Sequence, residues 1–249
     1  MNKLILSTGA DSNYLNKIQP YLNSITKNSN FDENILVYLS DEKIELNKEG
    51  IEVATLSPSM IKIPNVNNCI QHGEFLNSSY FDKFNDNDVI FFTDGDIILQ
   101  RNLTEEEQIQ YRNFKDGDVY VGYNSSPNDT LHDESFRLGM KGKTFPEFGV
   151  DWKSVKVFNT GVLGMNKKTW LRLIEDYKLL FTKVNQMFYH YAKQQWLISF
   201  IIGVKEYNII EMPYDIHNHR HYPSPLGTTQ DSNGDVFYNN NKVLFKHKW

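Results

Sequence analysis

The sequence predicts an α/β protein: a mostly parallel central sheet with helices on both faces. Two observations carry that reading. Short apolar runs suited to buried strands alternate with segments whose apolar residues recur at helical spacing. One run, VIFFT at 89–93, ends abruptly in Asp94-Gly95-Asp96. In sheets of this class ligands bind beyond the carboxyl ends of the strands. No internal repeat or linker interrupts the 249 residues, so one domain over 1–249 is expected.

The elements follow in order. Residues 4–7 read as the first strand. Tyr14, Leu15, Ile18, Leu22 and Ile25 recur at helical spacing, and Pro20 is expected to kink that helix early. Residues 35–39 and 53–56 read as strands, 70–84 as a helix and 89–93 as a buried strand. An acidic segment at 105–107 leads to a strand at 119–123. The polar stretch 124–149, containing SSPNDTLHDESFRLGMKGKTFPEFG, has the length of a lid or binding loop. Residues 155–165 are strand-like. Trp170, Ile174, Tyr177, Phe181 and Val184 mark an amphipathic helix, and 188–202 a further one. Strands at 207–212 and 243–247 finish the chain.

Composition narrows the partners. A formal net charge of −5 argues against nucleic acid or an anionic membrane. The single cysteine, Cys69, excludes an internal disulfide and fits a reducing compartment. Leu4-Ile5-Leu6 is too short for a secretion signal, and far short of the roughly 20 apolar residues of a membrane helix. A cytoplasmic location is expected. At 14% aromatic, the chain has rings enough for stacking surfaces as well as packing.

The acidic doublet raises the chemical question. Residues i and i+2 of an extended chain point to one side, so Asp94 and Asp96 converge. Two carboxylates about 4 Å apart repel by roughly 4 kcal/mol at an effective dielectric of about 20. A divalent cation relieves that repulsion, and Mg²⁺ or Mn²⁺ leaves coordination positions open for phosphate oxygens. Gly95 would let a ligand approach the backbone. The structural alternative is an exposed turn that merely ends the strand, although apolar Ile97-Ile98 follows at once. Two enzyme classes place Asp-x-Asp after a hydrophobic strand. In haloacid-dehalogenase phosphatases the first Asp is a nucleophile, near the N-terminus. In nucleotide-sugar glycosyltransferases the pair holds the metal on the donor's diphosphate.

Four separated pieces, STGADSNYLNKIQPYLNSI, VIFFTDGDIILQRNL, VFNTGVLGMNKKTW and KVLFKHKW, together resemble glycosyltransferase family 8. That resemblance implies the Rossmann-like GT-A fold, with a nucleotide-binding half at 1–103 and an acceptor-side half at 104–249. It implies transfer of a hexose from a UDP-sugar to a glycan or other hydroxyl acceptor, with retention, and Mn²⁺ or Mg²⁺ as cofactor. Thr8, Ala10, Asp11, Asn13 and Tyr14 would hold the nucleotide, with Tyr14 stacked on uracil and Asp11 near base or ribose. Asp94, Asp96 and His247 would hold the cation, with Gly95 beside the donor. His72 would approach the donor, and Asn159 would face the donor sugar or the acceptor. Local readings compete: Tyr14 as core at a helix start, Asp11 or Ser12 as a helix N-cap, Asn159 satisfying backbone, and His247 as a structural strand residue.

The chain also departs from the family. Where the family carries an Asp-Gln pair facing the reacting sugar, this chain has Gln194-Gln195. The family's Gly and phosphate-binding Lys after its His have no counterpart at that spacing, leaving Lys246 or Lys248 to substitute. His217, His219 and His221 alternate in YDIHNHRHYPSP. They suggest either a zinc site or an acceptor-side loop in which Arg220 recognises an anionic group. Two rival functions stand: a catalytically weak nucleotide- or carbohydrate-binding module of the same fold, and the phosphatase.

Overall fold

The computed structural model describes residues 1–46, 48–60, 74–124, 126–137, 151–185, 193–218 and 225–247. The expectations for Cys69, His72, His219, Arg220, His221 and Lys248, for residues 138–149 and for the Gln194 side chain fall outside the described residues.

The first strand, β1 (Leu4–Asp11), is longer than expected. The helix expected from Tyr14 starts later: 12–18 form turns, and α1 is Gln19–Asn28. Pro20 sits in its first turn, where backbone N–H groups have no helical partner. It therefore opens the helix instead of kinking it. β2 (Glu33–Leu39), β3 (Glu52–Leu56) and β4 (Val89–Thr93) lie where the apolar runs placed them. Of the helix expected at 70–84, only 74–75 are α-helical in the described part, followed by a 3₁₀ turn at Ser79–Lys83. Asn77, Ser78 and Ser79 are residues whose side chains compete with helical backbone bonds.

After β4 come β5 (Ile97–Leu99) and α2 (Glu105–Arg112). The acidic segment is thus a helix, and its cap was visible in the sequence. The Thr104 hydroxyl accepts the Glu107 N–H while the Glu107 carboxylate accepts the Thr104 N–H. β6 (Asp118–Tyr123) leads into the polar stretch, which folds in part as α3 (Leu131–Arg137). Then follow β7 (Phe158–Asn166), α4 (Lys167–Asn185), α5 (Lys193–Val204) and β8 (Asn208–Met212). The short strands β9 (His217–Asn218), β10 (Thr228–Gln230), β11 (Val236–Tyr238), β12 (Asn241–Lys242) and β13 (Phe245–His247) close the chain.

Among the described residues the central sheet has seven strands in the order β3-β2-β1-β4-β7-β6-β8. All run the same way except β7, antiparallel to both β4 and β6. Alternate strand residues feed two cores. Ile5, Ile90 and Phe92 pack with Trp170 and Trp196 on one face, and Leu4, Leu6 and Phe91 with Tyr21, Tyr111 and Phe245 on the other. At roughly 25 cal/mol per Å², such aromatics dominate the burial energy. From β1 the chain moves outward to β2 and β3, then returns to place β4 on the other side of β1. That reversal makes the carboxyl ends of β1 and β4 the topological switch point of the sheet, where folds of this class bind ligands. A second sheet, β5-β13-β9, carries the last strand back to the same end. Among the described residues no helix is long and apolar enough to cross a membrane.

Candidate active site

Asp94 leaves β4 in a tight turn. Its N–H donates to the Gly161 carbonyl at 2.8 Å, and its own carbonyl accepts the Ile97 N–H at 3.1 Å. The turn reverses the chain into β5, and β13 pairs antiparallel with β5 so that His247 lies opposite Ile97. Asp94, Asp96 and His247 each offer a ligand atom, all within 4.8 Å of one another. His247 Nε2 is 3.4 Å from Asp96 Oδ1. His247 is buried, Asp94 half-buried and Asp96 exposed, so the group opens outward from a fixed base. Two carboxylates and an imidazole are a donor set suited to a divalent first-row cation.

β7 completes the corner. Its pairing with β6 shifts between Val121 and Gly122, from Val121↔Leu163 to Gly122↔Asn159. The bulge at 160–162 brings β7 against the Asp94 turn. Asn159 is 5% exposed, and its Oδ1 accepts the Gly161 N–H at 2.9 Å. The competing local role is therefore real, and it leaves the NH₂ as the end that can face outward. A Cβ on Gly161 would lie 2.5 Å from His247 Cε1, and one on Gly122 2.2 Å from His217 Nδ1. Both glycines make room for histidine rings.

Of the three alternating histidines only His217 is among the described residues, and it lies in a strand and not in a loop. It is buried in β9, with its ring centroid 5.6 Å from that of His247. Burial, with a smaller contribution from nearby His247, drives its pKa well below the ordinary imidazole value. Lys246 points away from the site, as alternation beside His247 requires, and donates to the Gly234 carbonyl. A Cβ on Gly95 would meet Ile18 Cγ2 at 2.6 Å, so its bareness also accommodates Ile18 on that side.

On the β1 side of the switch point is the turn after β1. Thr8 is buried in the β1–β4 seam, its hydroxyl donating to the Thr93 carbonyl at 2.8 Å. Ala10 is buried as well. The Asp11 carboxylate accepts the Tyr14 N–H at 2.9 Å, and its carbonyl accepts the N–H groups of Tyr14 and Leu15. Asp11 therefore braces the turn at 12–18 and does not cap the helix, whose N-cap position is Ile18. Asn13 is exposed. Tyr14 is 46% exposed, with Lys17 Nζ 4.8 Å from its ring centroid.

Around Gln195 lies a cluster whose other members, Asn124 and Glu134, the sequence did not point to. Gln195 Nε2 reaches Asn124 Oδ1 at 3.1 Å and Glu134 Oε1 at 3.3 Å. Thr130 and Asp133 bond reciprocally at the start of α3, a capping signal that could have revealed that helix. No local signal says that the helix folds back on Gln195.

An Asp-x-Asp turn at a strand end, at the switch point of a sheet with one reversed strand, defines the GT-A class of nucleotide-sugar folds. The structure shows that fold. No family model matches the chain, and no curated protein matches it by sequence. Solved structures do match. The galactosyltransferase LgtC, in complex with donor and acceptor sugar analogs, superposes with a TM-score of 0.56 at 14% identity, covering 98% of this chain and 86% of that one. An active-site mutant of LgtC matches over the same shares at 13% identity and a TM-score of 0.56. What these structures share with this chain is the fold.

Proposed function

We propose that the protein is a glycosyltransferase that moves a hexose from a UDP-sugar to a hydroxyl acceptor, with retention. The carrying observation is the Asp94–Asp96–His247 group, gathered within 4.8 Å at the carboxyl end of β4. A divalent cation such as Mn²⁺ held there would supply positive charge to the leaving diphosphate. Asp94 and Asp96 provide the oxygen ligands and His247 the nitrogen ligand. The nucleotide belongs to the 1–103 half. Asn13 and Tyr14 present an amide and a ring face to the nucleotide, with Ala10 and Asp11 shaping the turn beneath them. The 104–249 half supplies the acceptor side. There Asn159 and Gln195 face the sugar, and the stretch after β6 excludes water once the donor is bound.

The test is calorimetric titration of UDP with and without Mn²⁺, followed by turnover assays on a panel of UDP-sugars. Metal-dependent UDP binding with sugar transfer or slow hydrolysis supports the reading. Tight UDP binding without any turnover makes the protein a binding module. Release of phosphate from simple phosphomonoesters, abolished by Asp94→Asn, makes it a phosphatase.

A further inference from the structure

The cluster at the carboxyl end of β6 has a polarity that its carboxylates dictate. Glu134, on α3, is 5% exposed. Its Oε1 accepts from Gln195 Nε2 at 3.3 Å, and its Oε2 accepts from Asn124 Nδ2 at 3.5 Å. Asp129 Oδ2 accepts from the same Asn124 Nδ2 at 3.4 Å. A carboxylate only accepts, so Asn124 must turn its NH₂ toward Glu134 and Asp129. Its Oδ1 is then left for Gln195 Nε2, at 3.1 Å. Both N–H bonds of the Gln195 amide are thereby committed, one to Asn124 and one to Glu134. Reversing that amide would set its oxygen against two acceptors, which a buried network does not tolerate.

Gln195 is half-buried and lies one turn before Ser199, whose Oγ accepts the Phe158 N–H at 3.0 Å. That bond seats α5 against the residue preceding Asn159. The backbone carbonyl of Gln195 accepts the Ser199 hydroxyl at 2.7 Å, so the group left for a ligand at this corner is the side-chain amide oxygen, Oε1.

We infer that Glu134 is a positioning residue that fixes Gln195 as a hydrogen-bond acceptor beside Asn159, so that the site takes a sugar hydroxyl as donor there. This rests on the glycosyltransferase reading. Glu134 acts through Gln195 and need not touch the sugar.

The test begins with Glu134→Gln, which keeps the size of the side chain but can turn an NH₂ toward Gln195 and release its orientation. For UDP-sugar turnover, kcat is expected to fall about 10–100-fold, while KM and metal-dependent UDP affinity stay within about twofold. Glu134→Asp, which keeps an acceptor, should retain kcat within about threefold. Because Glu134 works through Gln195, the double variant Glu134→Gln/Gln195→Ala should be no slower than Gln195→Ala alone. Additive losses, or a kcat unmoved by Glu134→Gln, overturn the inference.

A second readout is independent of turnover. The side-chain amide signals of Gln195 in a nitrogen–proton NMR spectrum are identified by their loss in Gln195→Ala. In Glu134→Gln one of the two proton signals should move upfield while the backbone pattern holds; an unmoved pair overturns the inference. If the wild type turns over no nucleotide sugar yet the Gln195 signals respond, the transferase reading fails and the assigned polarity stands.

Discussion

The two ends of the central sheet handle charge in opposite ways. At the amino ends of the strands each carboxylate meets a donor. Asp88 accepts the backbone N–H groups of Lys3 and Asn85, both at 2.8 Å. Asp32 accepts the Leu4 N–H and a bidentate Arg112. Asp118 accepts from Lys115 N and Asn208 Nδ2. At the carboxyl end, Asp94 and Asp96 converge on each other and on His247. The first end ties strands together. The second gathers two carboxylates and an imidazole, a donor set that would suit a divalent cation, so the two ends put their carboxylates to different uses.

Mutations at each end test that division. The largest effect is expected at the site end. Asp94→Asn should cut UDP-sugar turnover by about 10³-fold and abolish metal-dependent UDP binding. Chemical unfolding should show stability unchanged or slightly raised, because a repulsion is removed. Asp88→Ala is the mirror case. Leaving two backbone donors unsatisfied should cost about 2–3 kcal/mol in urea unfolding while kcat holds. A loss of kcat at matched folded fraction would blur the division.

Gly161→Ala sharpens it. The new methyl must displace His247 or the Asn159 amide, so Mn²⁺-dependent UDP affinity should drop about tenfold or more, with roughly 1–3 kcal/mol of destabilisation. Tyr14→Ala, at an exposed ring, should weaken UDP about tenfold in the same calorimetric titration and change stability by less than about 0.5 kcal/mol.

The smallest effect is acid-dependent. Burial raises the Asp32 pKa, but the Arg112 hydrogen bond, the Leu4 N–H and nearby positive charges outweigh it and hold it below the ordinary carboxylate range. A depressed folded pKa adds stability above the unfolded value of about 3.9 and loses it as pH falls through the folded value. Asp32→Asn should therefore cost about 1 kcal/mol or less at neutral pH, since the pair is partly exposed, and the difference should vanish in stronger acid.

Much of the fold was legible because a buried strand leaves a local mark. VIFFT could be placed from its own residues, and Asp94-Gly95-Asp96 could be read as a strand-end chemical feature. The helix at 105–112 was equally marked by Thr104 and Glu107, but its run of glutamates masked the apolar face. Relations between distant segments left no such mark. Nothing near Glu134 announces Gln195, and nothing in YDIHNHRHYPSP says that His217 lies behind His247. The register break in β7 is likewise a property of three strands together. Pro20 shows a subtler limit: its effect depends on where the helix begins, which the apolar spacing of Tyr14 and Leu15 set too early.

The pairing of β13 with β5 also orders events during synthesis. The aspartates emerge from the ribosome well before the imidazole, with β6, β7 and β8 made in between. A nascent chain can build the sheet's first strands and the Tyr14 turn early, yet its cation corner stays incomplete until 245–247 dock. Ion capture would then report on the docking of β13 rather than help to initiate folding.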